Sequence, residues 1–168
     1  ELQAKLQEFM LDIPWQEIEF LAVAVGPGSY TSTRIGVVTA RILAQQLNIT
    51  LYGISTLKAF AWHFFLQTSL TPVVAVEMKA NQEQIFGAIY EYKNPDNDLI
   101  SLMDNQLFSL EKWKEITHKY QTQFNQRLEI IKTPDKLGFN AQSIVEIALL
   151  FISNNQYSDW QNVLPFYS

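Results

Sequence analysis

The sequence lacks cysteine and contains very little histidine. In 168 residues there is no cysteine, and the two histidines, His63 and His118, lie far apart. These absences exclude disulfides, thiolate zinc sites, cysteine nucleophiles and a metal site built on a closely spaced histidine pair. A chain without cysteine fits a reducing compartment. We interpret His63, inside an aromatic run, as a packing residue and His118, in a charged helix, as a solvated one.

Basic residues and long apolar runs are also scarce. The chain contains twelve Lys and Arg and seventeen Asp and Glu, which gives a net charge of −5 and a pI near 5.0. A protein that grips a phosphate backbone by itself normally carries a basic patch, so autonomous nucleic-acid binding is not expected. No apolar run approaches the roughly 18 residues of a membrane span, and no signal-peptide pattern is present. We expect no membrane association.

The remaining composition is that of a folded α/β protein. Apolar residues make up 48% and aromatic residues 13% of the chain, which indicates a substantial core. Residues Ile18 to Val25 form an unbroken apolar run typical of a buried parallel strand, and a glycine turn, a helix and a short strand follow. The predicted elements are helix Glu1–Met10, strand Ile18–Val25, helix Thr31–Leu47, strand Ile49–Ile54, helix Leu57–Leu66, strands Pro72–Glu77, Gln84–Tyr92 and Leu99–Phe108 with a turn at Pro95–Asp98, helix Glu111–Tyr120, strand Leu128–Ile131 and helix Ala141–Ile152.

The sharpest local feature is the turn from Gly26 to Thr31 between the first strand and its helix. Glycine lets a ligand approach the backbone and permits positive φ, which we expect at Gly28. The first amides of a helix are unpaired and can hold a phosphate, helped by the hydroxyls of Ser29 and Thr31. The turn matches neither a Walker loop nor a dinucleotide fingerprint. The alternative is a tight turn in which Ser or Thr only caps the helix.

The helix from Thr31 to Leu47 is apolar around most of its circumference, and Gly36, Ala40 and Ala44 form a small-residue stripe along it. Such a helix is covered on two sides. Either the stripe packs on the protein's own sheet or first helix, or it faces another protein. The residues alone leave both possibilities open. For the second, the partner surface that we hypothesise consists of Leu2, Leu6, Phe9, Arg34, Gly36, Val37, Ala40 and Ala44.

Arg34 occupies the first turn of this helix, where a cation is mildly unfavourable with the helix dipole. It therefore needs either a specific anionic partner or an exposed position over the helix surface.

Glu77 and Glu83 are the remaining candidates for acid–base chemistry, but no nucleophile or metal set accompanies them. We therefore predict no catalytic residue and no metal site.

Several segments resemble the TsaB (YeaZ) family, which acts in threonylcarbamoyladenosine synthesis on tRNA. The segment GPGSYTSTRIG with its following helix is similar to the family signature GPGSFTGLRIG. The segments YGISTLKAFA and PVVAVEMKANQEQIFGAIYEY and the closing VLPFY also resemble family segments. The similarity is strong over residues 18 to 60, fair over 72 to 92 and faint elsewhere. Glu77 and Lys79 depart from the family's usual Asp and Arg.

The resemblance implies a two-lobed fold of the actin, Hsp70 and acetate-kinase type, which is ribonuclease H-like. We expect a first lobe over residues 1–56 and a second over 57–168, with the C-terminal segment returning to the first. The family's opening strand and hairpin are not found. We therefore expect a fragment whose first lobe is incomplete at its N-terminus.

The resemblance also implies a non-catalytic scaffold subunit in the cytoplasm. It would pair with the catalytic subunit TsaD and the ATPase TsaE, form a homodimer in isolation and meet tRNA only through the complex. No intrinsic cofactor is implied, although ATP or ADP could sit at the partner interface, near Gly26, Gly28, Ser29 and Thr31. The alternatives are a sugar or small-molecule kinase of the same superfold and a glycoprotease. A kinase requires a catalytic carboxylate and a complete phosphate hairpin.

Overall fold

The computed structural model describes residues 2–68, 72–93, 98–125 and 127–167. Its helices are α1 (Leu2–Phe9), α2 (Tyr30–Leu47), α3 (Thr56–Gln67), α4 (Leu110–Gln123) and α5 (Ala141–Ser153). Its strands are β1 (Phe20–Gly26), β2 (Thr50–Ser55), β3 (Val73–Lys79), β4 (Gln84–Lys93), β5 (Asp98–Ser109) and β6 (Leu128–Lys132).

These elements confirm the predicted ones, with shifts at their ends. Helix α1 ends at Phe9, well before Pro14. A short 3₁₀ turn at Trp15–Glu17 follows, and β1 begins at Phe20, two residues later than predicted. Glu1 and most of the predicted turn at 95–98 lie outside the described residues. Among the described residues, no helix has both the length and the apolar character needed to span a membrane.

The strands form two sheets. Strands β1 and β2 pair in parallel, and α2 connects them, which confirms the predicted β-loop-α-β unit. The second sheet has the order β5-β4-β3-β6, in which β3 runs antiparallel to β4 and parallel to β6. The predicted division into lobes at residue 56 stays a prediction, and α3, which begins there, packs against strands of both sheets.

The small sheet lies between two helical layers because its residues alternate between its faces. Leu51 belongs to a cluster with Val37 and Ala44 of α2, whereas its neighbours Tyr52 and Ile54 pack with α3 and α5. Helix α5 buries Ile147, Ala148 and their neighbours in that second layer. Its side chains Val145, Leu149 and Ile152 remain exposed.

The larger sheet is also covered on both faces, which explains its apolar strands. Val74 and Val76 face α3, and Val73 and Ala75 belong to a separate cluster with Trp113 of α4. The Trp113 indole donates a hydrogen bond to Glu77 Oε2 at 2.9 Å. Glycine at position 87 makes room for this ring, because a Cβ there would lie 2.5 Å from Trp113 Cζ3.

The first prediction concerns this close approach. We expect Gly87→Ala to lower the free energy of unfolding by about 1–3 kcal/mol, because the added methyl overpacks the rigid Trp113 ring. The measurement is urea denaturation. Gly138→Ala is the matched control, since a Cβ at Gly138 meets nothing within 4 Å, and it should change stability by no more than about 0.5 kcal/mol. Equal stability of the two variants would contradict the packing described here.

Candidate functional site

The glycine turn joins β1 to α2 through one residue with left-handed backbone. Gly26 has a φ of +105°, and it is the one glycine with positive φ among the described residues. The expectation that Gly28 takes this conformation is therefore wrong. An added Cβ at Gly26 would also lie 3.4 Å from the Cβ of Phe166. A residue with an L side chain would be strained at this φ, whereas glycine adopts it freely.

Ser29 caps the helix that follows the turn. Its hydroxyl oxygen accepts a hydrogen bond from the amide of Ser32 at 3.5 Å, so one of the free amides at the N-terminus of α2 has an internal partner. Thr31 lies exposed in the first helical turn. The capping alternative is therefore observed at Ser29, and phosphate binding at Gly26, Gly28, Ser29 and Thr31 stays a prediction.

Two cavities adjoin the turn, and both are lined by Gly28 and Phe86. The tail cavity, of about 180 Å³, is lined by Pro27, Gly28, Tyr30, Thr33, Arg34, Phe86, Pro165, Phe166 and Tyr167. The cleft cavity, of about 390 Å³, is lined by Gly28, Ser29, Met78, Lys79, Ala80, Phe86, Thr133, Pro134, Asp135 and Leu137. The cleft cavity thus lies where the start of α2 faces residues of the larger sheet and the segment after β6.

The small-residue stripe of α2 faces the protein's own sheet. Val37 and Ala44 are 0% exposed, and they pack with Leu51 and Val163. A Cβ added at Gly36 would point at Val23 of β1, at 3.9 Å from its Cγ2, and Ala40 packs partly buried on the same cluster. Val37 and Ala44 are therefore out of a partner's reach, which contradicts their predicted partner contact, whereas a partner contact by the half-buried Gly36 and Ala40 stays a prediction. Small residues here let α2 approach its own strands.

The opposite side of α2 is apolar and exposed. Ile35, Val38 and Ile42 are exposed by 50%, 50% and 53%, and we call these three residues the α2 outer face. They recur at spacings of three and four, so they lie on one side of the helix. In α1, which has no buried residue, Leu2 and Phe9 are exposed by 44% and 72%, and Leu6 is half-buried.

Arg34 lies over two aromatic rings. Its guanidinium carbon is 4.7 Å from the ring centre of Tyr30 and 5.6 Å from that of Tyr167, and it donates a hydrogen bond to the Tyr30 hydroxyl. Tyr167 belongs to the C-terminal tail, 133 positions beyond Arg34 in the numbering of the sequence. The sequence pointed to Arg34 through its unfavourable helix position, but no local pattern linked it to the tail.

The other candidate side chains do not assemble into a catalytic group. The Glu77 carboxylate, besides accepting from Trp113, pairs with Lys132 Nζ at 3.0 Å, while Glu83 is exposed. His63 is half-buried with its ring nitrogen 2.9 Å from Gln67 Nε2, and His118 is exposed. Over the described ranges, no three His, Cys, Asp or Glu side chains come close enough together to hold a metal ion.

Sequence reasoning missed a polar contact between the sheets. Ser55, at the end of β2, donates to Asn105 Oδ1 of β5 at 2.7 Å, and the Tyr90 hydroxyl of β4 donates to the same oxygen at 3.1 Å. Burial raises the pKa of the Tyr90 hydroxyl above its ordinary value. Single polar residues in three separate strands carry no sequence pattern that would predict this contact.

A small parallel sheet and a larger mixed sheet, with α3 between them and a cleft at the glycine turn, form the expected two-lobed α/β fold of the actin and Hsp70 class. Two solved structures share it. YeaZ from Pseudomonas aeruginosa superposes with a TM-score of 0.73 at 14% identity, covering 99% of this chain and 84% of that one. A protein described as similar to the peptidase YEAZ from Pseudomonas aeruginosa gives 0.74 at 15% identity, covering 99% and 82%.

Sequence comparisons define the family. The family model described as TsaD, tRNA N6-adenosine threonylcarbamoyltransferase, matches residues 3–153. The tRNA threonylcarbamoyladenosine biosynthesis protein TsaB of Bacillus subtilis is 33% identical over 108 residues, covering 62% of this chain and 44% of that protein. TsaB of Buchnera aphidicola is 26% identical over 157 residues, covering 86% and 69%. The chain belongs to this TsaD-related family, and the resemblance to the TsaB (YeaZ) family is confirmed by its curated relatives and solved neighbours.

The second prediction tests the turn. We expect Gly26→Ala to lower the free energy of unfolding by about 1–3 kcal/mol, because an L side chain is strained at this φ. Gly28→Ala is the control: its φ is not in the left-handed region, and an added Cβ would meet only Thr33 Oγ1 at 3.3 Å. Thermal and urea unfolding measure both. A larger loss from Gly28→Ala than from Gly26→Ala would contradict this assignment.

Proposed function

We propose that this chain takes part in tRNA threonylcarbamoyladenosine biosynthesis, the process that the names of its Bacillus and Buchnera relatives state. Its part is that of a non-catalytic scaffold subunit. It pairs with a TsaD-like catalytic subunit and a TsaE-like ATPase, it forms a homodimer when the catalytic subunit is absent, and it meets tRNA as part of the complex.

The α2 outer face is the observation that carries this proposal. Val37 is 0% exposed and its neighbour Val38 is 50% exposed, so the sheet covers one side of α2 and leaves an apolar side uncovered. Burying exposed apolar surface stabilises a complex by about 25 cal/mol per Å² of that surface, before the cost of association. Leu2 and Phe9 of α1 are exposed apolar residues as well, and we propose that they also contact the partner.

The contacts of the polar candidates support the non-catalytic role over a kinase-like one. The Glu77 carboxylate accepts from Trp113 and pairs with Lys132, which leaves it poorly placed to act as a general base. The Ser29 hydroxyl caps its own helix. We therefore place any ATP or ADP at the partner interface. There a second protein would supply the phosphate-binding and catalytic groups that this chain does not provide.

The third prediction concerns the partner surface. We expect Val38→Asp and Ile42→Asp to weaken binding of the TsaD-like subunit at least about tenfold, because each places a charge in an apolar contact. The melting temperature should change little, since both side chains are half in solvent. Isothermal titration calorimetry and thermal unfolding measure the two effects on the same preparation.

Leu66→Asp is the matched control, because Leu66 is an exposed apolar residue of a different helix, α3, at 55% exposure. It should leave the affinity unchanged. Unchanged affinity in Val38→Asp and Ile42→Asp, in a preparation where the wild-type chain binds the TsaD-like subunit, would contradict the proposed role of the α2 outer face.

A further inference from the structure

The C-terminal tail completes a ring cluster at the start of α2. Tyr167 lies 6.5 Å from Tyr30, measured between ring centres, and both rings contact the Arg34 guanidinium. We call Tyr30, Arg34 and Tyr167 the ring platform. The backbone amide of Phe166 donates to Val25 O at 2.7 Å, so the tail is fixed to the end of β1 immediately before Tyr167. The platform is therefore held in place by the fold.

The charge of Arg34 has no acidic counterpart here. Across the described part of the chain, no carboxylate lies within ion-pair distance of Arg34, and the tail cavity beside it is lined by no acidic residue. The positive end of the α2 dipole adds to the same local field. In a chain of net negative charge, the Arg34 guanidinium is thus held against the rings of Tyr30 and Tyr167, in a local field that favours an anion.

The surroundings of Arg34 favour a planar aromatic group. The tail cavity, of about 180 Å³, has walls formed by Pro27, Phe86, Pro165 and Phe166 in addition to the ring platform. Tyr30 and Tyr167 remain exposed by 64% and 55%, which is a large apolar area to leave in water. Exposed rings beside an arginine are the elements on which single-stranded nucleic acid stacks its bases.

We propose that the ring platform binds an unpaired nucleotide of an RNA strand, whose base stacks on Tyr30 or Tyr167 and whose phosphate pairs with Arg34. The inference rests on the proposed function, because that function brings RNA to the complex. The openness of the two rings favours a strand over a free nucleotide, since small ligands are usually 70–90% buried in their sites. At a net charge of −5, the platform positions RNA within the complex and does not bind it strongly alone.

The experiment measures RNA binding by fluorescence anisotropy, with the full chain alone at low salt and in complex with the TsaD-like subunit. The probes are a labelled short oligoadenylate, its duplex with oligouridylate, and an unmodified tRNA transcript, with AMP as competitor. We expect Arg34→Ala and Tyr167→Ala each to weaken oligoadenylate binding about tenfold, the size of one lost stacking contact. Arg34→Lys should be intermediate, because it keeps the charge and loses the planar group.

Two matched controls, Tyr157→Ala and Arg127→Ala, remove an exposed tyrosine and an exposed arginine elsewhere on the surface. They should bind oligoadenylate as the wild-type chain does, and the wild-type chain should bind the duplex, whose bases are already stacked, more weakly than the single strand. The inference is overturned if oligoadenylate binds neither to the wild-type chain alone at low salt nor to its complex, if the platform variants match the controls, or if AMP competes as well as the strand.

Partner affinity measured on the same preparations separates this inference from the proposed function. If the wild-type chain fails to bind the TsaD-like subunit, the proposed function fails, and the RNA measurement on the chain alone still decides the inference. If Arg34→Ala weakens binding of the TsaD-like subunit and leaves RNA binding unchanged, Arg34 pairs with a carboxylate of that subunit and the inference is wrong.

Discussion

Helix α2 rests on the small sheet through Val37 and Ala44, and most of the functional surface depends on this packing. Because these residues and Gly36 turn toward β1 and β2, the rotation of the helix about its axis is fixed. Ile35, Val38 and Ile42 must then point outward. The same rotation directs Arg34 toward the side on which the tail arrives. The protein's own core thus decides which residues a partner can reach.

The C-terminal tail links this helix to both sheets. Val163 packs against Gly53, where an added Cβ would lie 2.8 Å from Val163 Cγ1, so the strand and the tail fit closely. Phe166 lies 6.0 Å from Phe86 of the larger sheet, measured between ring centres. The tail therefore contacts β1, β2, β4 and α2 within a few residues, and it forms a wall of the cavity next to the glycine turn.

The sequence predicted the elements well because their patterns are strong. Unbroken apolar runs predicted both β1 and β3 as strands, although β1 is only half-buried before Gly26 and not buried on both faces as expected. The glycine turn predicted the start of α2 to within one residue. The orientation of α2 was not predictable in the same way. A helix that is apolar all round gives no indication of which side its sheet covers, and the stripe of Gly36, Ala40 and Ala44 suits a sheet as well as a partner helix. Burial against Val23 and Leu51 decides between them.

Cysteine labelling tests the central claim, that the α2 outer face is covered by the catalytic partner. The natural sequence has no cysteine, so Ile42→Cys and Leu149→Cys each introduce a single thiol at an exposed apolar position, on α2 and α5 respectively. We expect the TsaD-like subunit to slow modification of the thiol at position 42 strongly and to leave modification at position 149 unchanged. Protection at position 149 with none at position 42 would contradict this claim.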